Sequence, residues 1–104
     1  MSLPSRFKLV YFVPVSALAA TKSAVFAAGA GRFPGPGGYT EACWQTLGSG
    51  QFRPGQHANP KIGTVGELET VEEMRVEILC VGRDTAQKAV DALKRYARSY
   101  TSAS

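Results

Sequence analysis

The most constraining stretch is residues 7–13, FKLVYFV, because it is apolar at both parities of an extended chain. Phe7, Leu9, Tyr11 and Val13 share one face, and Val10 with Phe12 the other. A strand with apolar weight on both faces predicts a central place in a sheet rather than an edge. Pro14 ends the strand, since proline has no amide to donate to a ladder. Residues 74–81 alternate more cleanly, with Met74, Val76, Ile78 and Cys80 on one face, and predict a second strand.

Two helices follow from 3.6-residue spacing. Ser16 stands as N-cap of the first, which runs to about residue 28 with Leu18, Thr21, Val25 and Phe26 on its apolar face and Gly29 as its stop. Asp84 caps the second, with Gln87 as a capping-box partner, and its apolar stripe is Ala86, Ala89, Val90, Leu93, Tyr96 and Ala97. Between them, the glycine- and proline-rich residues 29–39 read as a loop. Residues 42–47 and 51–53 read as extended, and Gly48-Ser49-Gly50 between them predicts a bulge or sharp bend. Residues 54–63 form a second loop centred on Asn59-Pro60, and residues 64–71 read as extended again. The tail, residues 98–104, lacks an apolar pattern, and Ser99 to Thr101 is its one place for a short strand.

The order strand, helix, strand, strand, helix predicts an α+β, ferredoxin-like two-layer sandwich: an antiparallel sheet with two helices on one face and the last strand short or missing. A chain of 104 residues holds one domain, with a core over residues 6–97. Its net charge of +4 is scattered, with no basic run longer than Lys94-Arg95, so a nucleic-acid partner is not indicated. Arg6 and Lys8 precede an apolar stretch over residues 9–20, and Ala17-Leu18-Ala19 imitates a signal-peptidase site. Pro14 and Ser16 break that stretch, and it is too short to span a bilayer, so a cytoplasmic protein without membrane contact is expected. Cys43 and Cys80 lie far apart and make no disulfide framework.

Candidate chemistry is sparse. His57 is the only histidine, and with Cys43 and Cys80 it offers three soft ligands at no metal-site spacing; only symmetry could gather copies of His57 or Cys43 into a metal site between subunits. No cofactor is expected within the chain. The glycine cluster follows a helix end instead of leading into a helix start, so it reads as a loop and not a phosphate cradle. Glu67, Glu69, Glu72, Glu73 and Glu77 read as a solvated face opposite Arg75 and Arg53. Trp44 and Phe52, on extended segments, read as subunit contacts, joined by Arg53 and Glu69.

The residues also resemble a known family. The motifs Gly29-Ala30-Gly31, Cys43, Gly48-x-Gly50, Phe52-Arg53-Pro54, Asn59-Pro60-x-Ile62-Gly63 and Glu69-x-Val71-Glu72-Glu73-x-Arg75-x-Glu77 fall together. Over roughly residues 6–95 this resembles the small inserted domain of the YqfO and Nif-three-like proteins (NGG-one-interacting factor three). The resemblance implies a CutA-like and PII-like fold that associates as trimers, and it reaches only the part of the family that lacks the His- and Glu-built dinuclear metal lobes. It therefore transfers no metal ligand and no hydrolase activity. The family continues past its second helix with a His-Pro-Tyr-Glu-Glu stretch and a last strand, where this chain reads YARSYTSAS.

Three functional readings follow. The leading one is a non-catalytic homo-oligomeric domain, a trimer, in regulation, sensing or scaffolding, with an unidentified small molecule or protein as partner. The alternative is a metal-binding protein or enzyme whose site forms between subunits. An adaptor that binds by strand addition at an open sheet edge is the third.

Overall fold

In the computed structural model the described residues are 4–58 and 63–101, with side chains described through residue 96. Strand β1 is Arg6–Val13, helix α1 is Leu18–Ala27, strand β2 is Trp44–Phe52, strand β3 is Glu69–Val81 and helix α2 is Arg83–Thr101. The sheet is antiparallel in the order β1-β3-β2, and both helices contact each other beneath it. The fold is α+β and consistent with a ferredoxin-like arrangement.

The core lies between the sheet and the helices. Tyr11 and Val13 from β1, Met74, Val76, Ile78 and Cys80 from β3, Val25 from α1 and Ala89 from α2 are buried there, joined by Ala17 and Ala30. The strand parities therefore fall as the alternation requires: one parity points at the helices and the other away from them. Among the described residues Thr21 is the buried polar one, and its hydroxyl hydrogen is shared between the Ala17 and Leu18 carbonyls.

Several expectations are corrected by longer-range contacts. β1 is an edge strand in the described sheet, because β3 takes the centre and α2 continues helically through Thr101. Ser99 to Thr101 is thus helix, not strand; residues 102–104, the Ala97 side chain and Asn59-Pro60 lie outside what is described. Ser16 is not a side-chain cap: a 3₁₀ turn at Val15–Ala17 leads into α1, closed by the Ala17 amide on the Pro14 carbonyl at 2.9 Å. Gly29 does stop the helix, at φ +106°, with its amide on the Phe26 carbonyl. Helix α2 begins one residue before Asp84, and Gln87 reaches forward to Asp91 at 3.0 Å, so no capping box forms.

The glycines of β2 make no bulge. Pairing with β3 runs unbroken from Trp44 opposite Glu77 to Phe52 opposite Glu69. Gly50 instead leaves room for the Glu73 carboxylate, which a Cβ there would strike. The extended reading of residues 64–71 holds only from Glu69 onward, since Glu67 closes a turn on the Thr64 carbonyl.

β1 pairs with β3 over Met74–Val81 and β2 pairs with it over Glu69–Glu77, so three-strand width is limited to residues 74–77. Residues 48–52 and 69–73 continue as a two-stranded ribbon. The radius of gyration, 16.4 Å, exceeds the roughly 13 Å of a compact chain of similar length, as an extended ribbon requires.

Candidate functional site

The sheet face opposite the helices lacks a covering layer among the described residues. Lys8, Val10 and Phe12 of β1, Val71, Arg75, Glu77 and Leu79 of β3, and Trp44, Thr46 and Phe52 of β2 share it by register. Large apolar side chains on this face are exposed: Phe12 57%, Trp44 55% and Val10 38%. Leu47, on the opposite face of β2, is 57% exposed as well. No residue of β2 is buried.

The charges on this face are organised around one carboxylate. Glu77 takes Lys8 at 3.1 Å on one oxygen and Arg75 at 3.1 Å on the other. The hydrogen bond from Lys8 comes first in holding the Glu77 carboxyl below its ordinary pKa, with the charges of Lys8 and Arg75 adding to it against some desolvation. Arg75 also lies over the Phe12 ring, 5.9 Å from its centroid. Beside this cluster a cleft of about 350 Å³ is lined by Arg6, Lys8, Phe33, Cys43, Trp44 and Leu79. Glu77 bridges Lys8 and Arg75, so the face presents apolar rings beside a cluster in which one carboxylate serves two cations.

The loop after α1 builds one wall of the cleft. The Gly31 amide donates to the Leu79 carbonyl at 2.8 Å, just before β2 begins, and the Ala42 amide donates to the Gly31 carbonyl at 2.9 Å. A third bond, from the Phe33 amide to the Tyr39 carbonyl, closes the glycine- and proline-rich segment on itself and sets Phe33 over the sheet. The cluster is a loop, as its composition requires.

The residues singled out from sequence separate into groups. Cys43 is exposed at the start of β2, and its thiol faces Gln45 Oε1 at 3.8 Å. His57 is exposed in the turn beyond the other end of β2. A nine-residue strand spans about 30 Å, so the two do not meet within one chain. Cys80 is buried, and burial raises its thiol pKa, as for a small core hydrophobe. Among the described residues no three of His, Cys, Asp and Glu gather as a metal-binding group. Arg53, expected to face the acidic residues, donates instead to the Gly66 carbonyl at 2.7 Å and ties down the ribbon end. Glu69 packs against Gly63.

Sequence reasoning placed Val10 and Phe12 on the second face of a central strand and Arg75 with a solvated acidic face, and missed Phe33 and the gathering of all four on one exposed face. The signal for the first two was present: helices on one side of a sheet leave the other parity uncovered, so apolar residues there must be exposed or matched by a partner.

A scan against protein-family models finds no match. The chain is 40% identical over 86 residues to a GTP cyclohydrolase 1 type 2 homolog of Mycobacterium leprae, covering 83% of this chain and 22% of that protein. It is 41% identical over 93 residues to the Mycobacterium tuberculosis protein of the same name, covering 89% and 23%. Among solved structures it matches a Bacillus cereus protein related to NIF3, with a TM-score of 0.71 and 28% identity over 89% of this chain and 22% of that one. The chain belongs to the Nif-three-like family. This Nif-three-like chain spans about a fifth of the length of the curated relatives it matches. Among the described residues no helix is long and apolar enough to cross a membrane.

Proposed function

We propose that this Nif-three-like chain is a non-catalytic, CutA/PII-like oligomeric module that assembles as a trimer in the cytoplasm and serves regulation, sensing or scaffolding. The observation that supports it is β2: nine residues, none buried, with Trp44 and Leu47 exposed on opposite faces beside the three-stranded part of the sheet and Phe52 on the two-stranded ribbon beyond it. A two-stranded ribbon is marginal in water by itself, and large apolar side chains left exposed along one strand suit an interface. Trp44, Phe52 and Glu69 are the contact residues, while Arg53 holds the ribbon end in shape through Gly66. The choice of three copies rests on the family resemblance. The cyclohydrolase in the relatives' name describes proteins of which this chain is about a fifth, and no residue here is assigned a catalytic role.

Native mass spectrometry and sedimentation velocity at tens of micromolar, roughly the range in which a standard-sized interface holds, test the reading. An assembly with chains in a multiple of three, lost in Trp44→Glu, is expected, and a monomer overturns it. Near-stoichiometric metal that disappears in His57→Ala or Cys43→Ser would instead favour a metal site between subunits.

A further inference from the structure

The cleft beside Glu77 holds more positive charge than its one carboxylate answers. Glu77 gives one oxygen to Lys8 and the other to Arg75, both at 3.1 Å. Arg6 lies two residues before Lys8 on the same face of β1 and lines the same cleft. It stands opposite Val81, and among the described residues no carboxylate is within ion-pair distance of its guanidinium. Lys8, its side chain 66% exposed, spends one of its three donors on Glu77 and keeps the others for a ligand.

Surplus cations alone would suit any anion, and the remaining walls narrow the choice. Leu79, opposite Lys8 in the register, forms the floor; Trp44, opposite Glu77, stands at one end; Phe33 reaches in from the loop. The Arg6 and Trp44 rows are separated by four residues of β3, about 13 Å. The space between them, about 350 Å³, falls within the range of small-molecule sites. A bare inorganic anion would leave the rings and Leu79 untouched, and a neutral ring would leave Arg6 without a counter-charge.

We infer that this cleft binds a planar aromatic carboxylate of one or two rings, with its carboxylate on the Arg6 guanidinium and the Lys8 ammonium and its rings against Leu79, Phe33 and Trp44. The guanidinium fork matches a carboxylate with two parallel hydrogen bonds, which a bound ring system holds in register. Glu77 fixes the orientation, because its own negative charge at the Trp44 row turns the ligand's carboxylate toward Arg6. Every group comes from one chain, so the site does not depend on the trimer reading.

The probes are naphthoate and its uncharged counterpart naphthamide, titrated into the full chain by calorimetry and by fluorescence. Trp44 is the only tryptophan, so its emission reports on the cleft. One naphthoate per chain is expected, saturating below about 1 mM, with an affinity at least tenfold above that of naphthamide. Arg6→Gln should weaken naphthoate at least tenfold and leave naphthamide unchanged. Phe33→Ala should weaken both, and Lys88→Gln, at an exposed position on α2, should weaken neither. Inorganic phosphate at the same concentration should not displace naphthoate. Absence of saturable binding, equal affinity for the two probes, full binding by Arg6→Gln, displacement by phosphate, or saturation without a change in Trp44 emission overturns the inference. Sedimentation of the same samples reads the assembly separately: a trimer that does not bind naphthoate refutes the cleft alone, and a monomer that binds it refutes the trimer alone.

Discussion

The Tyr11 hydroxyl donates to Thr21 Oγ1 at 3.1 Å, and the Thr21 hydroxyl, on a residue 2% exposed, donates in turn to the Ala17 carbonyl at 2.9 Å. This chain of bonds joins β1 to the start of α1 and satisfies two polar groups inside an apolar layer. Tyr11→Phe removes one neutral hydrogen bond and should cost about 1 kcal/mol. Thr21→Val strands the tyrosine hydroxyl without its acceptor and should cost about 1–3 kcal/mol. Urea unfolding of both variants checks the order.

Two glycines should respond oppositely to alanine. At Gly31, φ is +79° and a Cβ would lie 2.7 Å from the Phe26 ring and 2.9 Å from the Ala42 carbonyl oxygen. Gly31→Ala should therefore cost about 2–4 kcal/mol, from left-handed strain together with overpacking. At Gly48 nothing lies within 4 Å and φ is not positive, so Gly48→Ala should be neutral or stabilise by about 0.5 kcal/mol. Thermal denaturation of the pair is a direct comparison.

Ile78 is 1% exposed at the middle of the core face of β3. Ile78→Ala should cost about 2–5 kcal/mol through lost burial and the cavity left behind. Ile78→Val should cost about 1 kcal/mol. Denaturant midpoints measured at constant slope read out both.

Alkaline pH should destabilise the fold. Burial raises the pKa of Tyr11 above its ordinary 10.0, against the lowering effect of its bond to Thr21, and burial raises Cys80 above 9.0. Above about pH 9 the unfolded chain gives up the Cys80 proton, and above about pH 10 the Tyr11 proton, while the folded chain keeps both. The unfolded state then binds fewer protons, so stability falls as pH rises. Tyr11→Phe should flatten the part of the curve above pH 10 in unfolding measured across pH 8–11.

Glu77 gives the opposite sign at low pH. Its lowered pKa, from the Lys8 bond first, makes a contribution that is present above the ordinary value of 4.5 and is lost as pH falls through the folded-state value. Glu77→Gln should weaken the dependence of stability on pH in acid. Salt should shrink the difference between the two proteins, since Lys8 is well exposed.

Parity and local stops were legible in the sequence because they depend on neighbours a few residues away. The alternation of Met74, Val76, Ile78 and Cys80 states which side is buried, Pro14 removes a ladder donor, and Gly29 supplies the positive φ that ends α1. The helix stripe of Ala89 and Leu93 is likewise a property of one segment. Cys43 and His57 were visible as rare reactive residue types, but a site depends on their separation, and β2 decides that by standing between them.

The sequence by itself thus determined which side chains of each element turn toward the core, and the tertiary structure decided which elements stand side by side. Val10 and Phe12 suggested a strand enclosed in the sheet, yet apolar weight on both faces says nothing about the two edges, where the backbone hydrogen bonds lie. Whether β1 has a second neighbour among the described residues depends on the path of residues 83–101, far along the chain from it, and they remain helical. Gly48-Ser49-Gly50 suggested a bulge because glycine permits one; the unbroken ladder of Glu69–Val81 beside it held the segment straight. Local chemistry limits what each segment can become, and pairing with distant segments selects among those possibilities because hydrogen bonds and burial are completed only across the chain.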